Sequence, residues 1–234
     1  YEITKNKELL QDFKKLRILK KNKLEGNIEN SKKLAIHFIK YFKKFIQKKI
    51  KLKNNLYFSR HKKTYINKEV FLGQKNNPNI IEKKITKELK NIKIDRFISS
   101  PFKRCVQTTK LLSKNSKIYL DKNLIEINYG DAENMTYKNF KIKYPRITRL
   151  WKKKEDPRFP NGESTYDVLQ RLQKFLKKEI KIYRYKKNIK TLIITHNVVL
   201  RCLIGMIFSI RKSDWYKINI KYFDLLEFIN IEKK

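Results

Sequence analysis

Cysteine is rare in this sequence, and no apolar run is long enough to cross a membrane. Its two cysteines, Cys105 and Cys202, both lie in apolar stretches with helical character, which favours buried free thiols over a disulfide. The apolar stretch LRCLIGMIFSI, residues 200–210, is too short to span a bilayer and fits a buried helix. No signal peptide is visible. These absences predict a cytoplasmic protein that does not associate with membranes.

Acidic residues are also few, with 22 Asp and Glu against 59 Lys and Arg, and the formal net charge of +37 invites a nucleic-acid interpretation. Lys accounts for 48 of the basic residues and Arg for 11, while Asn and Ile are abundant and Gly is scarce. A nucleic-acid binder more often concentrates its charge in one patch and uses Arg for base contacts. We therefore expect a composition bias and no specific nucleic-acid partner, with a basic nucleic-acid binder left open as an alternative. The basic surface should still attract anions such as phosphorylated substrates.

The sequence divides into two regions with different patterns. In residues 32–53 the apolar residues follow helical spacing, and Lys fills the other face. Such a helix fits a membrane-surface or partner-docking element or, as we favour, the last helix of a preceding domain, and its His37 is interpreted as structural. Tyr1 in place of an initial Met leaves open that the chain is a piece of a longer polypeptide. We predict a helical extension or domain tail over residues 1–53 and one domain over residues 54–234.

The second region alternates between strand-like and helix-like segments. Apolar runs of strand length occupy residues 55–59, 95–100, 117–120 and 191–195, and helical stretches occupy residues 102–114 and 164–183. The first and last runs are almost continuously apolar, as in strands that are covered on both faces. The alternation predicts an α/β domain with a mostly parallel sheet flanked by helices.

Chemically useful residues follow the predicted strands. Arg60 and His61 come after the first strand, Arg104 after the second and His196 after the last, and a long loop over residues 124–137 carries Glu126. Because open α/β sheets bind ligands at the carboxyl ends of their strands, we expect these five side chains to converge. Each alone would be an ordinary loop residue or helix cap. Together they could grip a phosphate through two guanidinium groups, attack phosphorus through an imidazole and protonate a leaving oxygen through a carboxylic acid.

Four motifs resemble one known family. RHKKTYIN, from residue 60, resembles the R-H-G-E-T-x-x-N signature of the histidine phosphatase (phosphoglycerate mutase-like) superfamily, and SSPFKRCVQT resembles its S-S-P-x-x-R-x-x-Q-T stretch. FPNGES and ITHNVVLRCLIG resemble its later signatures, in the same order. The resemblance implies a three-layer α/β/α sandwich with a mostly parallel central sheet, no metal and no cofactor.

The resemblance also assigns roles to individual residues. It implies that His61 is the phosphorylated nucleophile, that Glu126 is the proton donor and that His196 belongs to the catalytic pocket. It further implies phosphate contacts from two arginines and two asparagines, namely Arg60, Arg104, Asn67 and Asn197. The expected function is a metal-independent phosphomonoesterase that hydrolyses a small phosphorylated metabolite through a phosphohistidine intermediate.

A finer resemblance concerns the loop around Glu126. LIEINYGDAENMTYKNFKIKYP and THNVVLRCLI are similar to stretches of the bisphosphatase half of the bifunctional 6-phosphofructo-2-kinase/fructose-2,6-bisphosphatase. This likeness implies that Tyr137 and Arg201 contact a sugar phosphate such as fructose 2,6-bisphosphate. Ile127 stands where cofactor-dependent mutases carry Arg, which favours hydrolysis over phosphoryl transfer. The sequence predicts no particular oligomeric state.

One departure from the family pattern bears on activity. Lys62 and Lys63 stand where the signature has Gly and Glu after the nucleophilic histidine. A Gly often marks a close backbone approach or a positive φ, so the Lys62 side chain either crowds the phosphate or turns away from it. An active phosphatase is the leading interpretation. The alternative is a catalytically impaired family member that binds phosphorylated ligands or acts as a scaffold.

Overall fold

The structure, a computed structural model, describes residues 56–66, 69–82, 85, 93–185, 189–207, 210, 212–223 and 225–228. The helix predicted within residues 32–53 and the candidate phosphate ligand Asn67 lie outside these residues. The division into residues 1–53 and 54–234 therefore stays a prediction. No helix in the described part combines the length and apolar character needed to cross a bilayer.

The described residues contain five strands, Leu56–Arg60 (β1), Arg96–Ser99 (β2), Ile118–Leu120 (β3), Thr191–Thr195 (β4) and Leu225–Phe228 (β5). They form one sheet in the order β3–β2–β4–β1–β5. The pairs β1–β4, β2–β4 and β2–β3 are parallel, whereas β5 runs antiparallel to β1. The predicted mostly parallel sheet is confirmed, and β5 is an addition that the sequence pattern did not predict.

Five α-helices accompany the sheet in the described part of the chain. In chain order they are Lys103–Ser113 (α1), Tyr137–Lys143 (α2), Pro145–Lys152 (α3), Thr165–Tyr185 (α4) and Asn197–Ile207 (α5). Helices α2 and α3 were not predicted as helices, yet local signals explain both. The Thr136 side chain caps α2 by accepting a hydrogen bond from the Asn139 amide, and Pro145 occupies the first turn of α3.

The two faces of the sheet bury different hydrophobic clusters. Leu56, Phe58 and Ile193 pack with buried residues of α4 and α5 on one face. Tyr57 and Ile194, which alternate with them along the strands, pack on the other face against Cys105 of α1. The helices thus cover both faces, and the predicted three-layer α/β/α sandwich is confirmed.

The strand register brings the predicted site residues to one edge of the sheet. Arg60 is level with Thr195 across the β1–β4 pair, and Ser99 is level with Ile194 across the β2–β4 pair. The backbone pairing continues for one residue beyond β1, because the His61 amide donates to the Thr195 carbonyl at 3.0 Å. His61 and the chain that follows β2 and β4 therefore begin side by side.

Candidate active site

His61 lies buried directly after β1, with its ring centroid 5.2 Å from that of His196. Its Nδ1 is 2.7 Å from the Lys62 carbonyl oxygen. A carbonyl oxygen can only accept, so Nδ1 carries the proton and Nε2 keeps its lone pair. Burial, followed by the positive charge of Arg104, holds the pKa of His61 well below its usual value. At neutral pH this residue is therefore a neutral imidazole with a nucleophilic Nε2.

The guanidinium of Arg60, the residue before His61, has described contacts at Nη1 and on one face of its plane. Its Nη1 donates to the Ile220 carbonyl at 2.8 Å, and the Tyr222 ring lies against the guanidinium, 3.8 Å from Cζ to the ring centroid. Its Nε is buried without a hydrogen-bond partner in the described part of the chain. A buried donor left unsatisfied costs about 1–3 kcal/mol. An oxyanion beside His61 would satisfy it.

Arg104, from the first turn of α1, is fully buried and connects two parts of the site. Its Nη1 and Nη2 donate to the carbonyls of Asn76 and Gly73, at 3.1 and 2.8 Å. Its Nε lies 3.3 Å from Nδ1 of His196, so that nitrogen is the acceptor. The three bonds use three of the five guanidinium N–H groups and leave two for a ligand.

The same contact fixes the tautomer of His196. Because Nδ1 accepts from Arg104, Nε2 carries the proton and donates to the Ser100 hydroxyl at 2.8 Å. Burial, followed by Arg104, holds the pKa of His196 well below its usual value, so the ring is neutral. The neutral ring has one N–H group, at Nε2, and this group could donate to a phosphoryl oxygen as well as to the Ser100 hydroxyl.

Glu126 lies buried in the loop after β3, with its carboxyl group against the start of α5. Its Oε1 accepts hydrogen bonds from the Ile127 amide at 3.0 Å and the Val198 amide at 3.2 Å. Burial raises the pKa of Glu126, and the Ile127 hydrogen bond and nearby arginines oppose that rise only in part. The Val198 amide at the start of α5 thus donates to this carboxyl.

Two residues that sequence reasoning missed hold the backbone of Glu126. Arg171 on α4 donates from Nη2 to the Glu126 carbonyl at 3.1 Å and forms an ion pair with Glu163. Gln74 donates from Nε2 to the same carbonyl at 2.8 Å. A signal for Arg171 was available, since it lies three positions after Val168 and four before Phe175, on the apolar face of its helix, where a charged side chain needs a partner.

The structure shows where the Lys62 side chain goes. Its φ is outside the positive region, so no glycine-like backbone is required at this position. Its ammonium lies 3.5 Å from an oxygen of Glu82, whose side chain is 62% exposed, and 4.8 Å from the centre of the Phe223 ring. The Lys62 amide donates to Thr108 and its carbonyl holds His61. The backbone of Lys62 therefore serves the site while its side chain extends toward Glu82.

The remaining predicted residues differ in how they relate to the site. Arg201 donates from Nε to the Ile218 carbonyl at 2.9 Å and lies close enough to Glu126 for their charges to interact. Asn197 begins α5, and its Oδ1 is buried without a partner in the described residues. Tyr137 stacks on Trp151 and is 55% exposed. In the described chain, no hydrogen bond or ring contact joins Tyr137 to either histidine.

The described residues contain no group of three or more His, Cys, Asp or Glu side chains that could hold a metal ion. The site instead combines two neutral imidazoles, two guanidinium groups and one carboxyl whose pKa is raised. This set can bind an oxyanion, attack it and move one proton.

A comparison with protein-family models decides the family. The model of the histidine phosphatase superfamily (branch 1) matches residues 56–230, most of the chain. This chain belongs to the histidine phosphatase superfamily. A search of curated protein sequences found no match. The family match supports the coarser resemblance, and the likeness to fructose-2,6-bisphosphatase stays a prediction.

Solved structures with the same fold include several phosphatases. YhfR from Bacillus stearothermophilus is 22% identical with a TM-score of 0.63, over 76% of this chain and 96% of its own. A phosphoserine phosphatase from Entamoeba histolytica, in complex with 3-phosphoglyceric acid, is 18% identical with a TM-score of 0.64, over 75% and 90%. A mycobacterial glucosyl-3-phosphoglycerate phosphatase is 17% identical with a TM-score of 0.62, over 74% and 88%. At these identities the likeness establishes the histidine phosphatase fold.

Proposed function

We propose that this histidine phosphatase superfamily member is an active phosphomonoesterase that hydrolyses a small phosphorylated metabolite through phosphorylated His61. The observation that carries the proposal is the pairing of a neutral His61, whose Nδ1 is fixed by the Lys62 carbonyl, with the unpartnered buried Nε of Arg60. The first supplies a nucleophile and the second an unsatisfied donor for the phosphoryl group. Solved relatives named as phosphatases of phosphoserine and glucosyl-3-phosphoglycerate support this substrate class.

In the first step, Nε2 of His61 attacks phosphorus, and the bond between phosphorus and the ester oxygen breaks. Arg60 and Arg104 bind the phosphoryl oxygens, with His196, Asn67 and Asn197 as further ligands on the strength of the family resemblance. Positive groups around the oxygens stabilise the charge that they carry in the transition state.

The proton for the leaving group comes from Glu126. Its raised pKa keeps the carboxyl protonated to a higher pH than an exposed glutamate, so it donates its proton to the leaving oxygen. In the second step, the Glu126 carboxylate takes a proton from water, and the water oxygen attacks phosphorus. The N–P bond breaks, orthophosphate leaves, and His61 and protonated Glu126 are restored.

The finer substrate assignment rests on resemblance. We propose Tyr137 and Arg201 as contacts to the rest of the substrate, with fructose 2,6-bisphosphate as one candidate among sugar phosphates. Arg201 lies close to Glu126, which supports its proposed role as a substrate contact. The stacking of Tyr137 on Trp151 gives its ring a defined position on the surface of α2, without linking it to the histidines.

The test is orthophosphate release from a panel of esters by the purified protein. The panel contains p-nitrophenyl phosphate, phosphoserine, 3-phosphoglycerate, simple sugar phosphates and fructose 2,6-bisphosphate. We expect turnover of at least one small ester without added metal and in the presence of a chelator. Absence of turnover across the panel, with orthophosphate still bound, would instead support the impaired, ligand-binding alternative.

The variant Lys62→Gly tests whether the Lys62 side chain crowds the phosphate or turns away from it. We expect kcat/KM to stay within about threefold of wild type, because the Lys62 carbonyl that fixes His61 is retained. The free energy of unfolding should fall by about 1–2 kcal/mol, because glycine makes the unfolded chain more flexible and the buried lysine stem is lost. Steady-state kinetics and urea unfolding measure both effects. A rise in kcat/KM of about tenfold or more would mean that the lysine side chain obstructs the site. That result would contradict our interpretation that the Lys62 side chain extends away from the phosphate.

A further inference from the structure

A segment late in the described chain reaches the candidate active site. Residues 218–223, which we call the C-terminal segment, lie between the 3-10 helix over Lys212–Lys217 and β5. The Ile218 carbonyl accepts a hydrogen bond from Arg201 at 2.9 Å, and the Ile220 carbonyl accepts one from Nη1 of Arg60 at 2.8 Å. One short segment therefore holds two guanidinium groups.

Tyr222 of this segment lies against the site itself. Its ring centroid is 3.8 Å from Cζ of Arg60 and 5.8 Å from the ring centroid of His61, and the residue is 38% exposed. The next amide, from Phe223, donates to the Arg60 carbonyl at 3.1 Å. The segment is thereby tied to the last residue of β1, directly before the nucleophile.

Arg60 depends on this segment more than Arg104 depends on any single neighbour. Three hydrogen bonds, to Gly73, Asn76 and His196, orient the Arg104 guanidinium. For Arg60, the described contacts of the guanidinium are the Ile220 carbonyl at Nη1 and the Tyr222 ring against its face. An arginine side chain has several rotatable bonds, so a single hydrogen bond leaves its plane free to rotate.

The ring removes that freedom. With Nη1 fixed and the plane held by Tyr222, the edge that carries Nε is left for a phosphoryl oxygen, and Nε is the buried donor without a partner among the described residues. We propose that Tyr222 is a positioning residue that orients Arg60 for phosphate binding. The proposal deepens the proposed function and rests on it for its kinetic readout.

Three variants test the role of the ring. Tyr222→Ala removes the ring, and Tyr222→Phe keeps it without the hydroxyl. Tyr216→Ala is a matched control on the preceding 3-10 helix, where the tyrosine is 68% exposed. Calorimetry measures the Kd of inorganic orthophosphate, and kinetics measure kcat and KM for the best ester of the panel.

We expect Tyr222→Ala to raise both the orthophosphate Kd and the KM by about three- to tenfold, the range of a partly exposed cation–π contact. Tyr222→Phe should stay within about twofold of wild type, because the ring face is retained. Tyr216→Ala should match wild type. A fall in kcat of Tyr222→Ala with unchanged KM and Kd would indicate a merely structural role and overturn the proposal. A Phe variant as weak as the Ala variant would also overturn it, since the hydroxyl would then be the active group.

The binding measurement separates this inference from the proposed function. If wild type hydrolyses no ester but Tyr222→Ala binds orthophosphate more weakly than wild type and Tyr222→Phe, the positioning role is supported and the proposed function fails. If wild type hydrolyses esters and Tyr222→Ala behaves identically, the positioning role fails and the proposed function stands. A wild type that neither binds orthophosphate nor hydrolyses an ester overturns both.

Discussion

Replacing His61 with alanine is expected to lower kcat for every phosphate ester by about 10⁴-fold or more, because the variant has no nucleophile to accept the phosphoryl group. Rapid quenching of wild type with a ³²P-labelled ester should trap a phosphoenzyme that is stable in alkali and labile in acid, as phosphohistidine is. The Ala variant should trap none. Steady-state assays and the quenched label measure both parts of the prediction.

A second variant, His61→Asn, controls for loss of activity through misfolding. His61→Asn can still donate a hydrogen bond toward the Lys62 carbonyl, which His61 Nδ1 contacts at 2.7 Å in the wild type, but it cannot form the same phosphoryl adduct. Both variants should bind orthophosphate, because the two guanidinium groups remain. Substantial turnover by a well-folded His61→Asn would rule out phosphorylated His61 as the intermediate.

Glu126→Gln is expected to produce a loss that depends on the leaving group. For alkyl phosphates such as phosphoserine, kcat/KM, which reports the phosphorylation step, should fall by about 10²–10⁴-fold, because the departing alkoxide needs a proton. For p-nitrophenyl phosphate the loss of kcat/KM should stay within about tenfold, since that phenolate is a stable leaving group. Steady-state kinetics with matched alkyl and aryl esters measure the difference. An equal loss for both classes would indicate that Glu126 supports the site without donating the proton.

The pH profile gives a second readout of the same residue. The neutral form of His61 is lost only as the pH falls through its lowered pKa, whereas the protonated form of Glu126 is lost as the pH rises through its raised pKa. The kcat/KM of wild type for alkyl esters should therefore follow a bell whose alkaline limb belongs to Glu126. Glu126→Gln should abolish that limb. The glutamine carbonyl can still accept the Ile127 and Val198 amides, so the fold of the loop should be preserved.

The central part of this site was predictable because it follows from sheet geometry. The residues after β1 and β4 must be neighbours once the two strands pair in parallel, so Arg60, His61 and His196 could be placed together from short apolar runs alone. Arg104 follows from the same reasoning one strand further along the sheet. Their chemical roles came from the family resemblance and stay predictions.

The rest of the site has no periodic pattern to reveal it. Gln74 and Tyr222 reach the site from irregular segments, whose course depends on contacts with distant residues such as Glu126 and Arg60. Strand β5 is a short run of four residues preceded by such a segment, which made it hard to distinguish from loop. Arg171 is the exception, because its position on an apolar helix face predicts a buried partner.

The sheet order also has a consequence for how the protein is made. The strand that carries Arg60 is the first described strand, but its two sheet neighbours, β4 and β5, come much later in the sequence. During synthesis β1 therefore leaves the ribosome long before either neighbour exists, and its pairing involves contacts that are far apart in sequence. We expect β1 to remain without its native partners until β4 and β5 have been synthesised, so a chaperone that covers an apolar strand would protect the nascent chain from aggregation.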